Sequence, residues 1–112
     1  MKVLYIAGPY RGTDAWEIAQ NIRRAEEVAL CVWSMGAVAL CPHANTAHFQ
    51  GALPDAVWLD GDLELLRRCD GVVVVRGWQQ SAGATAEVEL ARELGKPAFT
   101  LEDPALRAWV KG

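Results

Sequence analysis

Four short apolar runs are spaced along the chain, and polar segments separate them. Each run is nearly continuous rather than alternating, which is the pattern of strands buried on both faces of a parallel sheet. We therefore predict four strands, at residues 2–7, 37–41, 71–75 and 98–101.

The segments between these runs carry helical periodicity. Asp14 predicts a helix start with Glu17 completing a capping box, and Gly36 predicts the end. The further predicted helices cover residues 55–69, the segment from Gly83 to Gly95, and residues 104–110, whereas residues 43–54 are predicted as a loop. Alternating strands and helices predict one α/β domain over residues 1–112: an open, doubly wound, flavodoxin- or Rossmann-like parallel sheet of four to five strands with helices on both faces.

Composition narrows the class of protein. The 112 residues are 52% hydrophobic and carry a net charge of −3, which argues against binding a nucleic acid polymer. No apolar run approaches the roughly 20 residues of a membrane helix, and Met1 leads directly into the first strand without a signal peptide pattern. Three cysteines without a C-x-x-C pair indicate reduced thiols, so we expect a cytoplasmic protein with no membrane partner.

Two carboxylate residues fall on the predicted apolar faces of their helices. On the helix after Gly83, Glu87 heads an apolar stripe of Leu90, Ala91 and Leu94, whereas Glu89 belongs to a polar face. On the preceding helix, Asp62 falls inside the arc of apolar residues. A buried carboxylate is costly unless something satisfies it, so each could be a structural cap. Two such groups in one small domain instead favour a catalytic pair that divides acid and nucleophile work.

The segment after the first strand, residues 8–12, is called the first loop. It joins strand to helix at the edge where open parallel sheets bind ligands. Its glycines let backbone N–H groups approach an anion, and Arg11 could clamp that anion; the alternative is a tight turn with a solvent-exposed arginine. The substrate-binding residues predicted here are Gly8, Pro9, Tyr10, Arg11 and Gly12.

Two further loops reach the same edge. His43 follows the second strand and is predicted as a hydrogen-bond donor in the pocket. The spacing of Cys41, His43 and His48 matches no common zinc site, so we predict no metal. Trp78 follows the third strand and is predicted to stack on a base, with a place in the core as the alternative. Five tryptophans in so small a chain also predict a subunit interface, in a homodimer or higher homo-oligomer.

Several segments, in this order, resemble the nucleoside 2-deoxyribosyltransferase superfamily, and the resemblance covers nearly the whole chain. They are residues 5–10 (YIAGPY), residues 62–75 from Asp62 to the third strand, and residues 83–97 around Glu87. Small phage and bacterial domains of unassigned function share the pattern at residues 77–84 (GWQQSAGA).

The resemblance implies catalytic roles for three residues. Glu87 would attack the anomeric carbon of the sugar, Asp62 would handle the base, and Tyr5 would orient the nucleophile. The transferases carry Asp where this chain has Ser81, whereas the related deoxynucleoside 5′-monophosphate N-glycosidases carry Ser there as part of a phosphate site. Gly83 completes the set of binding residues that we predict at the start of this helix.

We therefore expect an N-glycosidase that acts on a small nucleotide or nucleoside without a cofactor. One alternative is a nucleoside 2-deoxyribosyltransferase that moves the sugar to another base. The other is a non-catalytic module that binds or senses nucleotides.

Overall fold

The computed structural model describes all 112 residues. Four parallel strands form one sheet in the order β2-β1-β3-β4. The strands are β1 (Val3–Ala7), β2 (Val38–Leu40), β3 (Gly71–Val74) and β4 (Ala98–Phe99). The helices are α1 (Ala15–Ser34), α2 (Pro42–Asn45), α3 (Asp55–Arg67), α4 (Ala82–Glu93) and α5 (Pro104–Lys111), with a 3₁₀ turn at Trp78–Gln80. The predicted doubly wound α/β fold is confirmed.

Side chains alternate across β1 and divide the core into two layers. Leu4 and Ile6 pack with residues of α1 and α5 on one face. Tyr5 and Ala7 pack on the other face with residues of α3 and α4. Tyr5 is therefore directed toward the helices that carry Asp62 and Glu87.

The boundaries of several elements differ from the predictions. Helix α2 overlaps the start of the predicted loop at residues 43–54: it begins at Pro42 and has only four residues, too few to show a helical period. The start of α1 is confirmed, since Asp14 Oδ1 accepts a hydrogen bond from the Glu17 amide at 2.8 Å. The reciprocal half of the capping box is not formed, because the Glu17 carboxylate accepts from Thr13 Oγ1 instead.

The apolar faces of α3 and α4 also differ from the prediction. On α4 the buried residues are Ala84, Val88 and Ala91, and Leu94 is exposed. On α3 only Leu66 is buried, and Leu59 is 51% exposed. Only part of the apolar arc that the sequence pattern predicted for α3 is therefore buried. None of the helices is both long and apolar enough to cross a membrane.

Candidate active site

Glu87 and Tyr5 form the centre of the site. Tyr5 is completely buried on β1, and its hydroxyl donates a hydrogen bond to Oε2 of Glu87 on α4. Glu87 is partly buried, one helical turn after Gly83, and lies on the wall of a cavity. The contact joins residues that are 82 positions apart in the chain, so the parallel sheet creates it.

Burial changes the acidity of all three predicted catalytic residues. It raises the pKa of Glu87 to about 7; the hydrogen bond from Tyr5 partly offsets this, and the nearby Asp62 carboxylate adds to it. Burial alone raises the pKa of Asp62 to about 6. The pKa of Tyr5 is also raised, by burial first and then by Glu87, so Tyr5 remains a donor. Both carboxyl groups therefore change protonation near neutral pH.

The larger of the two main cavities, about 1090 Å³, lies beyond the carboxyl ends of the central strands. The structure brings nearly all of the predicted binding residues to its wall, together with Asp62 and Glu87. The predicted binding residues that line it are Gly8, Pro9, Tyr10, Arg11, Gly12, His43, Ser81 and Gly83.

Trp78 lies apart from this group. It lines the neighbouring cavity of about 590 Å³ and packs against the core layer that contains Tyr5. Its position matches the core alternative rather than a stacking platform in the larger cavity. Tyr5 itself does not line the cavity and contacts it through Glu87.

The side chains predicted to hold a phosphate already have protein contacts. Arg11 Nη2 lies 3.6 Å from Asp55 Oδ2, and both side chains are largely exposed. Ser81 caps α4, because its Oγ accepts a hydrogen bond from the Ala84 amide at 3.1 Å. Exposed ion pairs are weak, so Arg11 can still reach a ligand.

His43 contacts the first loop. Its Nε2 lies 2.8 Å from the Pro9 carbonyl oxygen. Because a carbonyl only accepts, Nε2 must carry the proton. Burial lowers the pKa of His43, which favours this neutral form. The Tyr10 ring packs edge-on against the imidazole, and the Tyr10 hydroxyl donates to Gln50 Oε1 at 2.9 Å.

Asn21 is buried beside the first loop and was not predicted from the sequence as a site residue. Asn21 Nδ2 donates to the carbonyl oxygens of Tyr10 and Arg11, at 3.1 and 3.2 Å. A signal was available, since Asn21 follows Ile18 by three positions and precedes Ala25 by four, on the apolar stripe of α1. Arg24, Trp58 and Gln50 also line the cavity and were not singled out.

No three histidine, cysteine, aspartate or glutamate side chains are grouped closely enough to hold a metal ion. All three cysteines are free thiols.

Solved structures of other proteins have a similar α/β fold. One similar solved structure is a 2-deoxyribosyltransferase from the psychrotolerant bacterium Bacillus psychrosaccharolyticus, with a TM-score of 0.64 and 19% sequence identity; the match covers 88% of this chain and 70% of that one. At this identity the likeness establishes the fold alone.

The chain belongs to the family described as "Domain of unknown function (DUF4406)", whose model matches residues 2–100. Among curated protein sequences, none matches the chain significantly.

Proposed function

We propose that this chain is an N-glycosidase that cleaves the base–sugar bond of a nucleotide-like substrate, with Glu87 as the nucleophile. The observation that carries the proposal is the partly buried Glu87, which accepts a hydrogen bond from Tyr5 on the wall of a large cavity. Its raised pKa is typical of carboxyl groups in active sites.

The chemistry divides between the two carboxyl groups. In the first step an ionised Glu87 oxygen bonds to C1′ while the C1′–N bond breaks, and the departing base takes its proton from Asp62. In the second step water attacks C1′, the bond to Glu87 breaks, and Asp62 accepts the water proton. The products are free base and the sugar 5-phosphate, and both carboxyl groups return to their starting states. Tyr5 holds the Glu87 oxygen in position during both steps.

The elevated pKa of Asp62 suits this acid–base role. A carboxyl group with its usual pKa carries almost no proton at neutral pH, whereas a pKa of about 6 leaves a usable protonated fraction. The negative charges of Asp62 and Glu87 oppose simultaneous ionisation, which favours one proton on the pair. Because the pKa of Glu87 is above that of Asp62, this proton resides mainly on Glu87, and the reactive form with ionised Glu87 and protonated Asp62 is the minor one.

A 5′-phosphate is part of the proposed substrate, with Arg11 and Ser81 as the side chains that hold it. Ser81 lies at the start of α4, where free N–H groups and the helix dipole favour an anion. Loss of one charge-assisted hydrogen bond in Arg11→Ala should weaken the monophosphate preference about ten- to a hundredfold. Equal turnover of nucleoside and monophosphate by the unmodified protein would contradict this part of the proposal.

The alternative enzyme is a 2-deoxyribosyltransferase, in which another base rather than water accepts the sugar from Glu87. The structural likeness to a 2-deoxyribosyltransferase supports it. Both reactions need the same nucleophile, so the residues around Glu87 do not distinguish them. The two reactions differ in the acceptor of the second step, which is water in one and a base in the other.

A panel of nucleosides and their 5′-monophosphates, with released base measured by chromatography, tests these functions. Free base formed with water alone supports the N-glycosidase. Exchange only when an acceptor base is added supports the transferase. Absence of both reactions across the panel would overturn the enzymatic proposal in favour of a binding or sensing module.

We also propose that the chain forms at least a homodimer in the cytoplasm. Four large apolar side chains between residues 49 and 59 are about half exposed near the cavity, a patch that subunit contact would cover. They are Phe49, Leu53, Val57 and Leu59. The three free thiols suit a reducing compartment.

A further inference from the structure

The two buried polar residues of the chain, Asn21 and His43, both direct their hydrogen bonds to the first loop. Asn21 Nδ2 donates to the Tyr10 and Arg11 carbonyl oxygens, and His43 Nε2 donates to that of Pro9. A polar side chain is costly to bury, and these contacts offset that cost. Three successive carbonyl groups of the first loop are therefore fixed by buried donors.

The planar peptide bond determines where the adjacent N–H groups point. In a trans peptide the carbonyl of one residue and the N–H of the next face opposite directions, and the chain has no cis peptide. The N–H groups of Tyr10, Arg11 and Gly12 thus point away from Asn21 and His43. None of the three donates a hydrogen bond to the backbone, and all three residues line the larger cavity.

A cation accompanies these free amide groups. Arg24 Nη1 lies 3.5 Å from Asn21 Oδ1, so the Asn21 amide is oriented with its oxygen toward Arg24 and its nitrogen toward the loop. Arg24 also lines the cavity and is not paired with any carboxylate.

Two carboxylates that line the cavity beside the loop are already paired, Asp55 with a residue of the loop itself. Glu17 accepts from the Thr13 hydroxyl at 2.9 Å, and Asp55 pairs with Arg11. Gly12 lies so close to Glu17 that a Cβ added there would approach the Glu17 Cβ to 2.7 Å. The Glu17 side chain thus occupies the space beside Gly12 that a Cβ would need.

We propose that Asn21, together with His43, is a positioning residue that makes the first loop the subsite for the anionic group of the substrate. The free N–H groups of Tyr10, Arg11 and Gly12 would bind that group, with Arg24 adding positive charge. The inference rests on the proposed function for the identity of the substrate, a nucleoside monophosphate. It differs from the side-chain contacts proposed for Arg11 and Ser81, because the backbone supplies the donors.

Phosphate titration of the ¹⁵N-labelled full chain tests the subsite without any turnover. Inorganic phosphate should move the amide signals of Tyr10, Arg11 and Gly12 more than those of other residues. Binding that moves other signals instead, or no binding up to tens of millimolar, would overturn the proposal. A protein that binds phosphate on this loop but releases no base from any nucleotide would refute the glycosidase and leave the subsite in place.

Variants test the positioning role. Asn21→Asp keeps the shape but replaces the donor with an acceptor, and should weaken phosphate binding and lower the monophosphate-to-nucleoside ratio of kcat/KM about tenfold. Gln20→Glu, on the neighbouring exposed position, adds the same charge and is the control. His43→Gln keeps a donor and should preserve more of the ratio than His43→Leu.

A purely structural role gives a different result. Loss of structure would lower turnover of nucleoside and monophosphate equally and leave their ratio unchanged. That outcome in folded Asn21→Asp protein, or an equal effect of Gln20→Glu, would overturn the positioning role. If Asn21→Asp does not fold, the comparison of His43→Gln with His43→Leu and the phosphate titration decide.

Discussion

Replacing Glu87 by Gln should stabilise the protein at alkaline pH. Gln has the same shape, and its Oε1 can still accept the Tyr5 hydrogen bond, but it has no charge to bury. The pKa of Glu87 rises from the ordinary value of 4.5 to about 7 on folding. At 1.36 kcal/mol per pKa unit, keeping this carboxylate ionised in the folded state costs about 3 kcal/mol.

The sign and pH window follow from the two pKa values. Below 4.5 the carboxyl group is protonated in both folded and unfolded chains, so its contribution to stability is fully present. Between 4.5 and about 7 the unfolded chain loses its proton first, and the contribution is lost. Glu87→Gln should therefore gain about 3 kcal/mol at pH 8 and less than about 1 kcal/mol at pH 5.

Urea unfolding at pH 5 and pH 8 measures the effect, and the thermal midpoint at pH 8 should rise on the order of 10 °C. Glu89→Gln, on the exposed face of the same helix, is the control and should change stability by less than about 0.5 kcal/mol at both pH values. If the gain at pH 8 is no larger than the gain at pH 5, the claim that burial of the ionised Glu87 carboxylate destabilises the folded protein is refuted.

Three further predictions concern acidity, packing and assembly. Asp62→Asn removes a like charge that raises the pKa of Glu87, so the acidic limb of the kcat/KM–pH profile should move to lower pH; an unmoved or alkaline-shifted limb contradicts the coupling. Gly8→Ala would place a Cβ 2.6 Å from the Val75 Cβ and should cost about 1–3 kcal/mol in urea unfolding, whereas Gly61→Ala on α3, with no atom within 4 Å, should gain up to about 1 kcal/mol; similar effects at both positions would refute the packing argument. Sedimentation at micromolar concentration should show a species of at least twice the 12.2 kDa chain mass, and a monomer at all concentrations would count against the proposed dimer.

The sheet was predictable because buried parallel strands leave continuous apolar runs, as at residues 71–75. Glu87 and Asp62 could be singled out for a related reason, since a carboxylate on an apolar face breaks a helical pattern. The hydrogen bond between Tyr5 and Glu87 required the structure, because periodicity gives the face of each element but not which elements meet.

The other features of the site depend on contacts between distant residues, which a sequence pattern does not encode. Asn21, like Glu87, is a polar residue on the apolar face of a helix, but it is uncharged. Its role can be seen only in the structure, where it donates hydrogen bonds to the carbonyl oxygens of the first loop. Trp78 follows the third strand as predicted but lines the other cavity, directly after Gly77, whose φ is +87°. The pattern places Leu59 in the apolar arc of α3, but Leu59 is about half exposed and Leu66 is the residue of this helix that is buried.

Base release by Glu87→Gln measures the role of Glu87 in turnover. With the best substrate from the nucleotide panel, we expect a kcat at least about a thousandfold below that of the unmodified protein, and a substrate Kd within a few-fold of it. Glu89→Gln should keep both values. Turnover by Glu87→Gln close to that of the unmodified protein would contradict the assignment of Glu87 as the nucleophile.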